Sequence, residues 1–434
     1  MNLRPFELGL IVVFILMIAG SLLFLSVYSP GDDNDGLPQV GVVEIWGTLP
    51  EATMTTVLRS LAEVNESYNQ VTYRQINEES FSDELVNALA DEAGPDLLLI
   101  SHERLIELRR RLQVISYESF PLRDFRSLYL DGAAIFALED GVYAYPLMVD
   151  PLMLYWNRDM LATNNLLSAP ATWESLVNTY VPTLTKRQAD RTITQSAVAL
   201  GEYSNVRNAF GIISSLLLQS GSGLVLEQNN EYIIRLDSAG ATTDRPFQSV
   251  ADFYTRFSRP SNSLYSWNRS FSEDRERFVS EDLALYFGYG SEGRELERLN
   301  PNLNFDIAEL PQGGTATVRR TYGRFYGLAA LRSSDNLAGA AIVLRDLSGP
   351  EVSKRIADSY NMVPALRSLV AAGSNDTYGR LNYLAAPISF GWLSPNVAGT
   401  REAFDTMVRD INENRTDVSG AVTDAQDRLR LEYN

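Results

Sequence analysis

The sequence predicts an α/β protein of two lobes, each a mostly parallel sheet flanked by helices, preceded by one transmembrane helix. Three observations carry that expectation. Residues 8–27 form an apolar run without a charge, residues 40–100 alternate between β-branched strands and amphipathic helices, and residues 145–161 stay apolar across two prolines. At 434 residues the chain is long enough for two lobes of ordinary size, and 45% hydrophobic with 21% charged residues is the balance of a globular protein rather than a disordered one.

The first run, LGLIVVFILMIAGSLLFLSV from Leu8 to Val27, is long enough to cross a hydrocarbon core of about 30 Å as a helix. Arg4 precedes it and Asp32, Asp33 and Asp35 follow it, a bias that keeps the N-terminus inside and the remainder outside the cytoplasm. Its apolar core is long for a cleaved signal peptide, and no small-x-small site follows. Residues 1–30 are therefore read as a single-pass anchor in the cell membrane. Residues 31–39, rich in turn formers and acids, are read as a flexible spacer.

Val40 to Trp46 is β-branched, and Glu51 to Tyr68 then places Val57, Leu58, Leu61 and Val64 on one helix face. Val71 to Ile76 alternates as a strand, Ser80 to Ala93 repeats Phe81, Leu85, Ala88 and Leu89 at helical spacing, and Asp96 to Ile100 is a buried strand. Such a βαβαβ unit demands a parallel sheet covered on both faces, with ligands near the carboxyl ends of its strands. Trp46, Glu79 and the Ser101-His102 pair all follow strand ends.

The segment YPLMVDPLMLYWNRDML, Tyr145 to Leu161, reads as a strand passing from one lobe into the other. Pro146 and Pro151 each remove a backbone donor and hold the preceding residue extended, which suits a crossover and not a helix interior. The lone acid inside it, Asp150, is costly unless it is paired, caps a turn or faces an open cleft. Further on, Thr172 is placed to cap a helix at Trp173, Ala209 to Leu218 is an apolar helix stopped at Gly221-Ser222-Gly223, and Asn304 to Pro311 is expected to be the second crossover. Tyr322 to Leu331 then returns to the first lobe as a strand, and helices follow over 338–347 and 352–360. The resulting division is lobe 1 over 40–148 and 311–360, and lobe 2 over 149–310 and 361–434.

The crossover also carries a resemblance. YAYPLMVDPLMLYWNRDML followed by PATWESL resembles the extracellular solute-binding proteins of the maltose-binding type, with Trp156-Asn157-Arg158-Asp159 standing at that family's tyrosine-asparagine-lysine-aspartate element and Trp156 replacing its tyrosine. GPDLLLIS from Gly94, FVSEDLALYFGYG from Phe278 and YNMVPALRSL from Tyr360 fall in the family's order. The resemblance, from about Val40 to about Leu369, implies a type II periplasmic-binding-protein-like fold that closes about hinges near Val149 and Ile307. It also implies a monomeric receptor that captures a small solute, chiefly a carbohydrate, and hands it to the transmembrane subunits of an ABC-type permease.

Composition narrows the rivals. With no cysteine there is no disulfide, thiolate nucleophile or lipidated cysteine, and any histidine-dependent catalysis must pass through His102, whose alternative is a surface or capping place. A net charge of -18 argues against nucleic acid, leaving Arg109-Arg110-Arg111 as a solvated helix end. GYGSEG at 288–293 lacks the Lys-Ser/Thr ending of a phosphate loop. No catalytic residue, metal site or cofactor is assigned.

Sugar receptors pair flat aromatic rings with planar donors and acceptors. The expected ligand contacts are Trp46 just past the first strand, Tyr289 and Tyr326 near the expected cleft segments, Trp267 and Trp392 in the loop-like SLYSWNRS and SFGWLSPN, Glu79 and Asp150 as hydroxyl acceptors, and Arg324 as donor. Trp156 and Trp173 are assigned to packing. Two other classes stay open: a sensor or scaffold that kept the fold without transport, and an extracellular hydrolase with a clustered acid pair.

Overall fold

The computed structural model describes residues 40–222, 224–229, 231–237 and 245–433. The expected anchor and spacer lie outside these residues; among those described, no helix is long and apolar enough to cross a membrane.

The first strands are β1 (Val43–Gly47), β2 (Val71–Gln75) and β3 (Leu97–Ser101), parallel and in the order β2-β1-β3, with Val43 opposite Val71 and Ile45 opposite Leu97. β3 is LLLIS with every residue buried, as a strand covered on both faces requires. Helix α1 (Glu51–Ala62) buries Met54, Val57 and Leu58, and α2 (Phe81–Ala90) buries Phe81 and Leu85, the i, i+3, i+4 pattern of one apolar stripe. α1 stops short of the expected Tyr68. Val64, read as part of its stripe, is 89% exposed, and Asn65 turns extended and caps a separate 3₁₀ turn by accepting from the Ser67 N–H.

The apolar run forms one 13-residue strand, β4 (Tyr145–Asn157). Its first half pairs antiparallel with β8 (Thr321–Ala330), which in turn lies against β3. Its second half pairs antiparallel with β6 (Leu283–Tyr289) on one side and β7 (Phe305–Glu309) on the other, and β6 runs parallel to β5 (Ile193–Val198). The prolines sit where the ladder tolerates them. Pro146 lies at a register shift against β8, and Pro151 lies where β4 leaves β8 and takes up β6 at Leu152.

One sheet of order β2-β1-β3-β8-β4-β6-β5 thus has two halves that share β4. The expected mostly parallel pairing holds for the outer strands and fails at the centre, where β4 and β8 pair antiparallel with each other and with their neighbours.

The second crossover needs correction. Ile307 lies opposite Tyr155, well inside the β4–β7 ladder of the second half. The chain crosses later, through residues 310–320, and β8 arrives with Gly323 opposite Pro151 and Arg324 opposite Asp150. A Cβ at Gly323 would lie 2.6 Å from that of Ser389 and 3.0 Å from a Val149 methyl, so the close approach of three segments requires glycine there.

Helix α3 (Ala209–Gln219) is buried along nearly its whole length and ends at Gly221, which adopts φ +73° as an αL stop. Ser215 of α3 accepts from the Tyr322 N–H at 2.9 Å, tying this helix to the start of β8. Helices α4 (Leu337–Leu347) and α5 (Pro350–Ser359) cover the first half of the sheet, where Val43, Ile45, Leu97, Leu99, Val343 and Ile356 share one core. The C-terminal chain touches both halves: Val363 and Pro364 pair with Val149 and Met148, and Ser389 and Phe390 with Thr321 and Tyr322. It finishes in α6 (Val397–Asn412) and α7 (Val418–Tyr433), which bury Phe404, Met407, Val422 and Leu429 against each other and α3's side of the second half.

Candidate binding site at the strand crossing

β3 ends at Ser101 and passes directly into His102, Glu103 and Arg104, which are 0%, 2% and 5% exposed. Charges at that depth need partners. Glu103 finds them on β8: the Tyr322 hydroxyl donates to Oε1 at 2.6 Å and Arg324 Nε donates to the same oxygen at 3.0 Å. Arg401 of α6 lies 3.9 Å from Oε2 and 3.1 Å from Glu78, so a side chain of the second half reaches acids of the first. Burial alone would raise the Glu103 carboxyl, but Arg324, His102 and Arg401 outweigh it and hold it down at about 2.

His102 is placed by its hydrogen bonds. Nδ1 accepts the Phe325 N–H at 3.1 Å, so the neutral ring carries its proton on Nε2, 3.3 Å from the Tyr322 oxygen. The result is a directed chain in which Nε2–H donates to Tyr322 and Tyr322 donates to Glu103. Burial lowers His102 to about 4, against the pull of Glu103. The surface or capping place expected for this histidine is therefore corrected: it is fully enclosed, and Gly391 makes room for it, since a Cβ there would lie 2.1 Å from Nε2.

Across β4, Asp150 accepts from the Ser291 N–H at 3.0 Å and the Ser291 hydroxyl at 2.6 Å. Burial pushes its carboxyl up to about 7, although both Ser291 hydrogen bonds act the other way. Arg324, opposite it in the ladder, stacks its guanidinium 4.6 Å from the centre of the Tyr289 ring. Tyr326 follows two residues along the same face of β8. The crossing therefore gathers Asp150, Tyr289, Arg324 and Tyr326 of the expected contacts.

The other four lie elsewhere. Trp267 is 0% exposed, donates its indole N–H to Asn205 Oδ1 at 3.0 Å and meets Phe271 edge-on. Trp392 is 3% exposed, donates to Ser214 at 3.1 Å and packs on Phe210 and Phe404. Both do sit in irregular segments, but other elements cover those segments, so the expected free rings are core. Trp46 is buried inside β1 with Arg74 4.8 Å from its ring centre. Glu79 is exposed, and its neighbour Glu78 takes the bond from Arg401. The packing assignment of Trp173 agrees with its place: it is 8% exposed against Phe253 and Phe287, and its N–H donates to Gln219.

Sequence reasoning missed Glu103, Tyr322, Ser291 and Arg401. For Glu103 a signal existed, since three charged or polar residues following an all-apolar strand mark a strand end facing a crevice. Arg401 carried none, because nothing local distinguishes an arginine on the seam from one in water. Arg109, read as solvated, is also on the seam: it bonds Tyr143 at 3.0 Å and Asp140 at 3.0 Å in the first half, and Tyr232 and Glu227 at 2.5 Å each in the hairpin 224–235 of the second.

No protein-family model matches the chain, and no curated protein matches it. Solved structures do. A cyclo/maltodextrin-binding protein complexed with maltotetraose superposes with a TM-score of 0.71 at 15% identity, over 92% of this chain and 98% of that one. The GacH receptor of Streptomyces glaucescens, solved unliganded and with acarbose, gives 0.68 at 16% identity, over 90% and 98%. The resemblance carried by the crossover motifs thus holds at the level of the fold, and the chain has the α/β fold of the solute-binding proteins.

Proposed function

We propose that this protein is a membrane-anchored extracytoplasmic receptor that captures a carbohydrate between the two halves of its sheet and delivers it to an ABC-type permease. The observation that carries this reading is the crossing itself. The shared strand β4, with β8 and β6 beside it, brings Asp150, Arg324, Tyr326 and Tyr289 to the boundary between the halves. Away from those strands the halves also meet through side-chain pairs such as the half-exposed Arg401 with Glu78, a contact that breaks and re-forms at little cost compared with a packed core. Rotation about β4 and β8, with lobe 1 as 40–148 and 311–360 and lobe 2 as 149–310 and 361–434, opens and closes this boundary. The solved neighbours with maltotetraose and acarbose support a sugar as the solute. The residues at the crossing support binding over hydrolysis, because Glu103 is neutralised by arginine and Asp150 is occupied by Ser291. Residues 1–30 supply the anchor in this reading, in place of a lipidated cysteine.

Thermal unfolding of the full chain in detergent, screened against neutral and acidic oligosaccharides, peptides and polyamines, tests the proposal. A ligand at a hundredfold excess over its Kd stabilises by about 2.7 kcal/mol, a clear shift of the transition. The expected result is stabilisation by one saccharide class and by neither peptides nor polyamines.

One observation favours the sensor or scaffold reading: most of the expected contact residues are engaged with other side chains and buried. That reading predicts no shift from any panel, and such a result overturns the receptor.

A further inference from the structure

Beside the Arg109 contacts, the two halves leave a groove of about 1090 Å³. Arg110, Arg111 and Arg332 of the first half line one side, and Tyr232 and Tyr433 of the second line the other. The Arg332 N–H donates to the Arg111 carbonyl at 2.9 Å, so these arginines are backbone neighbours on one surface. All three are exposed. Among the described residues Arg110 and Arg111 have no acidic partner, and Arg332 uses only Nε, on the Leu112 carbonyl at 2.7 Å.

In a chain of net charge -18, cations are easily neutralised by neighbours. Here two of the four acids that line the groove are held by other arginines. Asp140 holds Arg109 and Tyr143, Glu107 holds Arg104 and Ser82, and Glu432 accepts from Asn396. Glu231 also lines the groove, on the tyrosine side. The two tyrosine rings, both half-buried, stack on each other at 5.2 Å and 28° at the edge of the groove.

We propose that this groove binds an anionic saccharide, a uronate-containing oligosaccharide that packs a sugar ring against the stacked Tyr232–Tyr433 pair and whose carboxylate is held by Arg110, Arg111 and Arg332. The inference rests on the sugar-receptor reading above and adds to it a second saccharide contact surface, since the groove shares no residue with the crossing. A planar guanidinium matches a carboxylate with two parallel N–H donors, and a neutral sugar gives no use to three arginines without an ion-pair partner beside the tyrosine pair. The weakly apolar face of a sugar ring suits tyrosine.

The test is calorimetric titration of the full chain in detergent with an oligogalacturonate, a neutral glucan oligosaccharide of the same length, and inorganic sulfate alone. The oligogalacturonate is expected to bind about tenfold or more tighter than the glucan at low salt. The double variant Arg111→Ala/Arg332→Ala is expected to lose that advantage, again by about tenfold, with neutral-sugar binding unchanged. Both positions are exposed, so the melting temperature checks that folding is intact. Glucan binding as tight as uronate binding, or an unaffected double variant, overturns this inference and leaves the receptor standing. Sulfate binding as tight as uronate reduces the groove to a bare anion site and overturns the saccharide assignment. If neither saccharide binds, this inference is overturned, while the receptor reading is decided by the full ligand panels.

Discussion

Replacing Asp150 with asparagine isolates the electrostatic cost of the crossing. The exchange leaves the shape almost unchanged: in Asp150→Asn, Oδ1 still accepts from the Ser291 N–H, and Nδ2 donates to the Ser291 hydroxyl from which the carboxylate accepts in the wild type. What disappears is a titration. The folded carboxyl is raised from 3.8 to about 7, so between those values the folded state binds more protons than the unfolded one. Its contribution to stability is therefore fully present below the unfolded value and is lost as pH rises to about 7. At 1.36 kcal/mol per tenfold change in proton affinity, the loss amounts to about 4 kcal/mol for this 5% exposed group. His102 works in the opposite sense over nearly the same range. Its folded value is lowered to about 4, so its contribution is present above the unfolded value and falls away as pH drops towards 4. The wild-type profile contains both, and the difference between wild type and Asp150→Asn cancels His102. Melting temperatures of the two proteins measured from pH 4 to pH 8 should diverge with rising pH, the variant gaining up to about 4 kcal/mol relative to wild type by pH 8. A difference that stays flat across that range refutes the burial of an ionisable carboxyl at the crossing.

Three further outcomes are expected. Gly391→Ala drives a methyl group into a His102 ring pinned by Phe325, so the melting curve should shift down by about 1–3 kcal/mol, and a neutral shift would mean the ring can move. Trp267→Ala should cost about 3–5 kcal/mol in unfolding measurements as a core truncation, while any saccharide-induced stabilisation keeps its size; selective loss of the ligand response would return Trp267 to the site. Arg401→Ala removes the half-exposed pair with Glu78 and a cation 3.9 Å from the buried Glu103, so stability should fall by about 1 kcal/mol or more, and the radius of gyration from solution scattering should rise as the halves separate more often; an unchanged radius would mean that this arginine does not hold the boundary.

Local chemistry makes much of the frame legible. The period of β1 to β3 with α1 and α2, the Thr172 cap and the αL stop at Gly221 all depend on residues within a few positions of one another, and they fold as their sequence reads apart from the early end of α1 at Ala62. The continuous apolar run across Pro146 and Pro151 likewise announces a strand buried on both faces that changes partners part-way. The place of Asp150, Tyr289, Arg324 and Tyr326 at the crossing is legible because each lies on or beside a strand whose path the pattern predicts.

The rest depends on what covers what. Trp267 and Trp392 stand in sequence that looks like exposed loop, and only packing against Phe271, Phe210 and Phe404 makes them core. Ile307 and Gly323 differ little as sequence candidates for a crossing, yet pairing with Tyr155 places the first inside the second half and pairing with Pro151 places the second at the junction. Composition, periodicity and turn residues thus settled the strand order's raw material and the class of fold, because those preferences act between near neighbours in the chain. The partners of Glu103, His102, Arg109 and Arg401 were decided by tertiary structure alone, since a charge is neutralised by whatever stands within a few ångströms of it, and here that is a residue more than a hundred positions away.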